Sequence, residues 1–329
     1  MKKKQIIAMV IAAVLIIVIG LFGVGSNLVE SLLFNSATST ESASGMYIFP
    51  TDDFIGVVNI VGEIQDLGEE SYFSSTTGYN HTTCVQYLED LTAAPNNRGL
   101  LLYIDSPGGY AYVGDDLYLE LMEYKEETGR PIYAYFDSVA ASAAYYAAMS
   151  ADEIYANRMT TTGSIGVYSS ALNLSGLYEK VGIKEYIFKS GDNKAMGSAG
   201  QEMTPEQIAI MQGQVDYMYE IFVDVVVAGR NMDRSKVYEI ADGRAYTAQQ
   251  ALDLDMIDGI CRYEEYEEMV LAKFPGEDIV FFYPDSGASA FGMLFGELKD
   301  AMPKSDTQAL TEFIEKNENG GYYYESICY

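Results

Sequence analysis

Residues 99–109 read "GLLLYIDSPGG". Seven residues of strand length, mostly aliphatic, run without a break into a serine, a proline and two glycines. The stretch after it predicts a helix over about 112–128, so the glycines stand where a buried strand turns into a helix. The same alternation extends in both directions. "FIGVVNIVGEI" (54–64) reads as a buried strand, "SYFSSTTGYNHTT" (71–83) as a polar loop and "CVQYLEDLTA" (84–93) as a short amphipathic helix. "PIYAYF" (131–136) is a third strand, a helix starts near Ser142, and "DEIYAN" (152–157) is a short strand. "EYIFK" (185–189) continues the pattern, and "GEDIVFFYP" (276–284) is read as a last strand. Strands that are apolar on both faces and alternate with helices mean a mostly parallel α/β sheet covered by helices. From residue 204 helices dominate. Thr204, Pro205 and Gln207 supply a capping threonine, a proline at the first helical position and a glutamine at the third, for a helix to about Ala228. Thr247 and Gln250 repeat the box before another short helix.

The N-terminus differs in kind. Lys2, Lys3 and Lys4 precede an uncharged apolar run through Gly25. About 20 apolar residues span a bilayer as a helix, and a basic flank stays cytoplasmic. A cleaved signal peptide is the rival, but its apolar core is only about 7–15 residues. The expectation is an uncleaved anchor over 1–25, a serine- and threonine-rich linker over 26–50, an α/β domain over 51–285 and a C-terminal tail over 286–329. The domain then lies outside the membrane.

The 329 residues carry a formal net charge of −28. The three N-terminal lysines are the only charges before residue 26, so the remainder holds 48 acidic against 17 basic residues. Nucleic acid is excluded as a partner on that balance, because phosphate binding needs positive charge. Cys84, Cys261 and Cys328 are too few and too scattered for a disulfide framework or a zinc site. No P-loop or EF-hand spacing occurs, and no cofactor or metal is implied. His81, the one histidine, is read as an ordinary surface residue in a polar loop.

Chemistry without histidine points elsewhere. "VAASAAYYAAM" (139–149) sets one serine, Ser142, at a strand-to-helix junction. Small residues there also suit plain close packing of a helix. If Ser142 is a nucleophile, something other than histidine must take its proton, and a lysine can do so when burial keeps it neutral. Lys194, in a loop of small residues after a strand, is one choice, and Lys189 is the other in that segment. The glycine pair at 108–109 would let free N–H groups hold a developing oxyanion, or would simply form a tight turn.

"DSPGG" (105–109), "SVAASAAYYAAMSADEIYA" (138–156), "TTTGSIGV" (160–167), "KSGDNKAMGS" (189–198), "MTPEQ" (203–207) and "ADGRAYTAQQALDLDMIDGI" (241–260) occur in this order. Together they closely resemble the signal peptide peptidase A family, serine peptidases of the Clp protease/crotonase fold, over about residues 54–262. The anchored single-copy layout resembles the short bacterial form. The resemblance implies Ser142 as nucleophile, Lys194 as general base, and the N–H groups of Gly109 and Ser142 as the oxyanion hole. It implies Ser164 as the serine that orients the lysine amine, with Lys189 a neighbour and not the base. It also implies a ring of copies with the dyad shared between neighbours, and peptide substrates such as signal-peptide remnants. The chain departs from the family at Ala143 and Ala144, where glycines are frequent, and at Tyr110, where a third glycine is frequent. Those changes are expected to reshape the substrate groove. Two other classes fit the same fold: an acyl-thioester enzyme using the same oxyanion hole, and an inactive membrane scaffold. The anchor and the missing basic patch for coenzyme A phosphates speak against the first. The presence of both Ser142 and Lys194 speaks against the second.

Overall fold

The computed structural model describes residues 47, 49–66, 78–275 and 278–284. The expected anchor, most of the linker, the C-terminal tail and Cys328 lie outside the described residues. Among the described residues no helix is long and apolar enough to cross a membrane.

Eight strands make one sheet. In chain order these are β1 (Phe54–Val61), β2 (Asn97–Ser106), β3 (Ile132–Ala141), β4 (Glu153–Ala156), β5 (Thr161–Gly163), β6 (Ala245–Thr247), β7 (Gly259–Ile260) and β8 (Val280–Phe282). The main path runs β6-β5-β3-β2-β1-β8, and β4 joins β3 to β7 off that path. Each pairing is parallel except β5 with β6. The eight helices of the described residues are α1 (His81–Ala93), α2 (Ala111–Thr128), α3 (Ala143–Ala148), α4 (Ser175–Val181), α5 (Pro205–Arg230), α6 (Arg234–Ile240), α7 (Ala248–Asp253) and α8 (Tyr263–Leu271).

Strand alternation sorts the core into two layers. Phe54, Val58, Ile60, Leu100, Leu102, Ile104, Ile132, Ala134 and Phe136 belong to the larger cluster, which includes buried faces of α1, α2, α3, α5 and α6. Ile55, Val57, Leu101, Tyr133 and Tyr135 belong to the other, with Tyr266 and Val270 of α8. Both faces are therefore covered, which is why these strands read as continuous apolar runs. Each fully buried large side chain contributes about 1.5–3 kcal/mol relative to exposure, so the stability of the domain is concentrated in this sheet.

Local signals placed the helix ends well. Thr204 accepts from the Gln207 N–H while Gln207 reaches back to the Thr204 N–H, and Thr247 and Gln250 do the same. Two expectations need correction. Helix α1 begins at His81, capped by Asn80, so part of the expected polar loop is its first turn. "EYIFK" (185–189) forms no strand; it is exposed throughout. It belongs to an arm, Gly166 to Glu206, that contains no buried residue. An apolar run becomes a strand only where a sheet edge accepts its backbone, and no strand pairs with this one.

Candidate active site

Two strand-to-helix turns meet beside β3. The first is Ser106–Tyr110, between β2 and α2. The buried Ser106 hydroxyl accepts the Gly108 N–H at 3.1 Å, and Gly108 adopts φ +97°. Ile64 N–H donates to Gly108 O at 2.8 Å, and Tyr110 N–H donates to Ile64 O at 2.9 Å. Gly109 between them forms the bridge with Ile64, and its own N–H has no acceptor among the described residues. A Cβ on Gly109 would overlap the Ile64 carbonyl. Glycine is needed at both positions, for conformation at 108 and for close approach at 109.

The second turn carries Ser142, between β3 and α3. Ser142 has φ 54° and ψ −123°, a conformation that L side chains rarely adopt and that costs about 1–3 kcal/mol. Ser142 is part-exposed at this strand-to-helix corner. Its Oγ makes no capping hydrogen bond. The turns are in direct contact. A Cβ on Gly108 would lie 2.6 Å from Ala141 O, 2.7 Å from Ser142 Cβ and 2.8 Å from Ala143 N.

One expected role shifts. The Ser142 N–H donates to Gly163 O at 2.9 Å, because β3 and β5 stay paired up to Ala141 and Gly163. Ala143, the first residue of α3, has an N–H with no acceptor among the described residues. A helix N-terminus leaves such donors free. Among the described residues, the N–H groups left without an acceptor at the meeting turns are that of Gly109 and those of the first turn of α3, Ala143 foremost.

Ser164 follows Gly163 directly, at φ 51°. Its N–H donates to Arg244 O at 2.9 Å and its hydroxyl to Gly243 O at 3.3 Å. The fold thus brings Gly108, Gly109, Ser142 and Ser164 to the C-terminal end of β3, the glycines from β2 on one edge and Ser164 from β5 on the other. Among the described residues no hydrogen bond or ion pair joins Lys194 to them. Lys194 lies exposed on the arm, its N–H donating to Gly191 O, and its amine has no hydrogen-bond or ion-pair partner among the described residues. Lys189 Nζ donates to Asp192 O at 2.8 Å on the same arm.

The alanines around Ser142 do something other than open a groove. Ala143, Ala144, Ala147 and Ala148 are buried. Ala143 faces α2, where a Cβ on Gly114 would come within 2.7 Å of Ala143 Cβ. Close packing of helices accounts for the alanines; the Ser142 backbone would favour glycine, so packing and conformation leave the serine unexplained. Tyr146 of α3 donates from its hydroxyl to Asp115 of α2, and burial with that contact holds the phenol far above its usual range. The helices behind the two turns are thereby locked together. Tyr110, by contrast, is exposed at the head of α2.

His81 is not a surface residue. It is 8% exposed, between Tyr79 OH at 2.7 Å from Nδ1 and Asp116 Oδ2 at 2.8 Å from Nε2. The pairing is structural: Tyr79 and Asp116 occupy both ring nitrogens. Gly163 was the residue that sequence reasoning passed over; it sits inside a quoted motif, at positive φ. Among the described residues no group of side chains suits a metal ion.

With this geometry in view, residues 124–271 match the model of peptidase family S49. The matched segment is similar to that family over 148 of the 329 residues. It contains Ser142, Ser164 and Lys194, and the glycine turn lies just before it. The chain is 39% identical over 203 residues to the "Putative signal peptide peptidase SppA" of Enterococcus faecium, covering 62% of this chain and 58% of the relative. It is 42% identical over 166 residues to a protein of Synechocystis sp. named as a protease, covering 50% of this chain and 59% of that one. It is 32% identical over 177 residues to the chloroplastic serine protease SPPA of Arabidopsis thaliana, covering 54% of this chain and 26% of that one. The matched stretch thus spans less than two thirds of each of these relatives.

Proposed function

We propose that the chain is a membrane-anchored serine endopeptidase in which Ser142 attacks the peptide carbonyl and Lys194 of a neighbouring copy serves as general base. One observation carries the reading: a strained serine held against a glycine turn, with the N–H groups of Gly109 and Ala143 left without acceptors among the described residues beside it. Two such donors at a nucleophile are what a tetrahedral oxyanion requires, and losing one costs about 10²–10³ in kcat. The S49 match and the names of the relatives support peptide hydrolysis.

The neighbour is invoked because the arm that bears Lys194 has no core of its own. Tyr168 is 89% exposed and Phe188 is 95% exposed, with Val181, Ile183 and Tyr186 also open to solvent. An arm that exposes this many large apolar side chains is what an interaction site looks like. A second copy covering it would desolvate Lys194, favouring the neutral amine that a base needs. Neutral Lys194 takes the Ser142 proton as Oγ attacks, then passes it to the leaving amine, and water hydrolyses the acyl-enzyme. Ser164 orients the amine. The apolar run over 5–25 holds the domain at the extracytoplasmic membrane face, in a Clp/crotonase-like ring whose substrates are signal-peptide remnants and other short or unfolded chains.

The test is a complementation. Ser142→Ala and Lys194→Ala are expected to be inactive alone on a fluorogenic peptide panel, yet to assemble. Mixed and reassembled, they regain activity, because a ring of both holds intact serine–lysine pairs. Two variants that are each fully active refute the dyad. Two inactive variants that stay inactive on mixing refute the shared site.

A further inference from the structure

Strand β3 does not run evenly beside β2. Leu100 to Ile104 pair with Ile132 to Phe136 one for one, and the next pair is Ser106 with Ala140. Two steps along β2 are matched by four along β3, so Asp137–Val139 hold a bulge of two extra residues. The outer neighbour of β3 changes across the same stretch. Tyr133–Phe136 pair with β4, and Val139–Ala141 pair with β5. The bulge is therefore what delivers Ser142 to Gly163 and to the glycine turn.

A bulge leaves backbone groups outside the ladder, and each needs a partner. The Asp105 carboxylate supplies one from β2. Its Oδ1 accepts the Ser138 hydroxyl and the Val139 N–H, the latter at 3.1 Å. Tyr103 OH donates to Asp137 Oδ2 at 2.8 Å, and the buried Thr160 hydroxyl faces the carbonyls of Phe136, at 3.0 Å, and Asp137. Asp105 is singular in its position. Its strand leads in four residues to Gly109, and the bulge it grips leads in three to Ser142. Its own carbonyl accepts the Gly62 N–H at 2.9 Å, beside the Ile64 segment that pairs with Gly109.

We propose that Asp105 is a positioning residue that sets the spacing between Ser142 and the Gly108–Gly109 turn by holding the β3 bulge. The inference rests on the peptidase reading above. Asp105 touches no reacting atom in this arrangement; it acts through Val139 and Ser138. Ionised acceptors make hydrogen bonds roughly twice as strong as neutral ones, and here one oxygen serves both donors.

The test uses the full chain in detergent, with Asp105→Ala, Asp105→Asn and Ser138→Ala. Peptide hydrolysis, labelling of Ser142 by a phosphonate probe and amide exchange at Val139 and Ser142 are measured for each. Asp105→Ala is expected to lower kcat about 10–100-fold with KM little changed, the cost of misplacing a reacting group by up to an ångström. Asp105→Asn keeps an acceptor oxygen and rescues most of that loss. Ser138→Ala, which keeps the Val139 bond, falls between. A folded Asp105→Ala with wild-type kcat and labelling overturns the proposal. So does Asp105→Asn as damaged as alanine, with exchange at Val139 unchanged. If alanine at 105 prevents folding, wild-type kcat and exchange in both other variants overturn it instead. A wild type that neither cleaves nor labels at Ser142 defeats the peptidase reading, and exchange alone then decides. Faster exchange at Val139 in Asp105→Ala than in Asp105→Asn upholds the brace, and equal exchange rejects it.

Discussion

Gly108→Ala puts one methyl group between the two turns of the site. The new Cβ would stand 2.6–2.8 Å from Ala141 O, Ser142 Cβ and Ala143 N, where ordinary contact begins at 3.4 Å. The turns must therefore part by about 0.6–0.8 Å, since repulsion rises steeply inside contact distance and none of these atoms ends a flexible side chain. The backbone adds a second cost, because φ +97° suits glycine and strains alanine by about 1–3 kcal/mol. A displacement approaching 1 Å at a reacting group costs up to about 10²-fold. The expected result is a kcat about 10–100-fold lower and a stability about 1–3 kcal/mol lower. The control is Gly213→Ala in the middle of α5, where a Cβ meets nothing within 4 Å. That change is expected to stabilise by about 0.5–1 kcal/mol through helix propensity, with activity unchanged. Urea unfolding and initial rates on one fluorogenic peptide suffice for both. A Gly108→Ala protein with wild-type unfolding midpoint and wild-type kcat refutes the contact between the turns as the basis of the site.

His81→Ala is expected to lower stability by about 1–3 kcal/mol, because Tyr79 and Asp116 lose a shared buried partner, while peptide hydrolysis is retained. Abolished hydrolysis in a folded His81→Ala protein would return histidine to the list of bases. Alkali should unfold the protein well before tyrosine and cysteine would titrate in the native state. Burial pushes the Cys84 thiol up to about 12 and the Cys261 thiol up to about 11, and Tyr133 and Tyr135 up to about 12. The unfolded chain releases those protons from about pH 9–10 while the native state holds them, so stability is intact below that range and falls as pH rises toward 12. Urea midpoints at pH 8, 9, 10 and 11 check it, and a midpoint flat to pH 11 refutes the burial argument.

Much of the scaffold was legible residue by residue. The apolar runs at 54–61, 99–105 and 132–136 are long, β-rich and bounded by turn residues, so neighbours in sequence were enough to identify them. The capping boxes at Thr204 and Thr247 are local hydrogen-bond patterns, and they formed as read. The glycines of "DSPGG" declared a turn because their lack of a side chain is a local property. The run at 185–189 misled for the complementary reason. Its composition suits a strand, but a strand exists only as a partner, and the arm offers none.

By itself, then, the sequence determined the alternation of strands and helices, the helix starts, the place of the glycine turn and the identity of a serine among alanines. Those follow from side-chain period and from hydrogen bonds spanning three or four residues. Tertiary structure alone decided the two-residue bulge in β3, the donation of the Ser142 N–H to Gly163, the burial of His81 between Tyr79 and Asp116, and the exposure of Lys194 on an arm without a buried residue. Each depends on groups far apart in the chain, and the free energy that pairs them comes from closing the sheet and covering its two faces, not from any local stretch of residues.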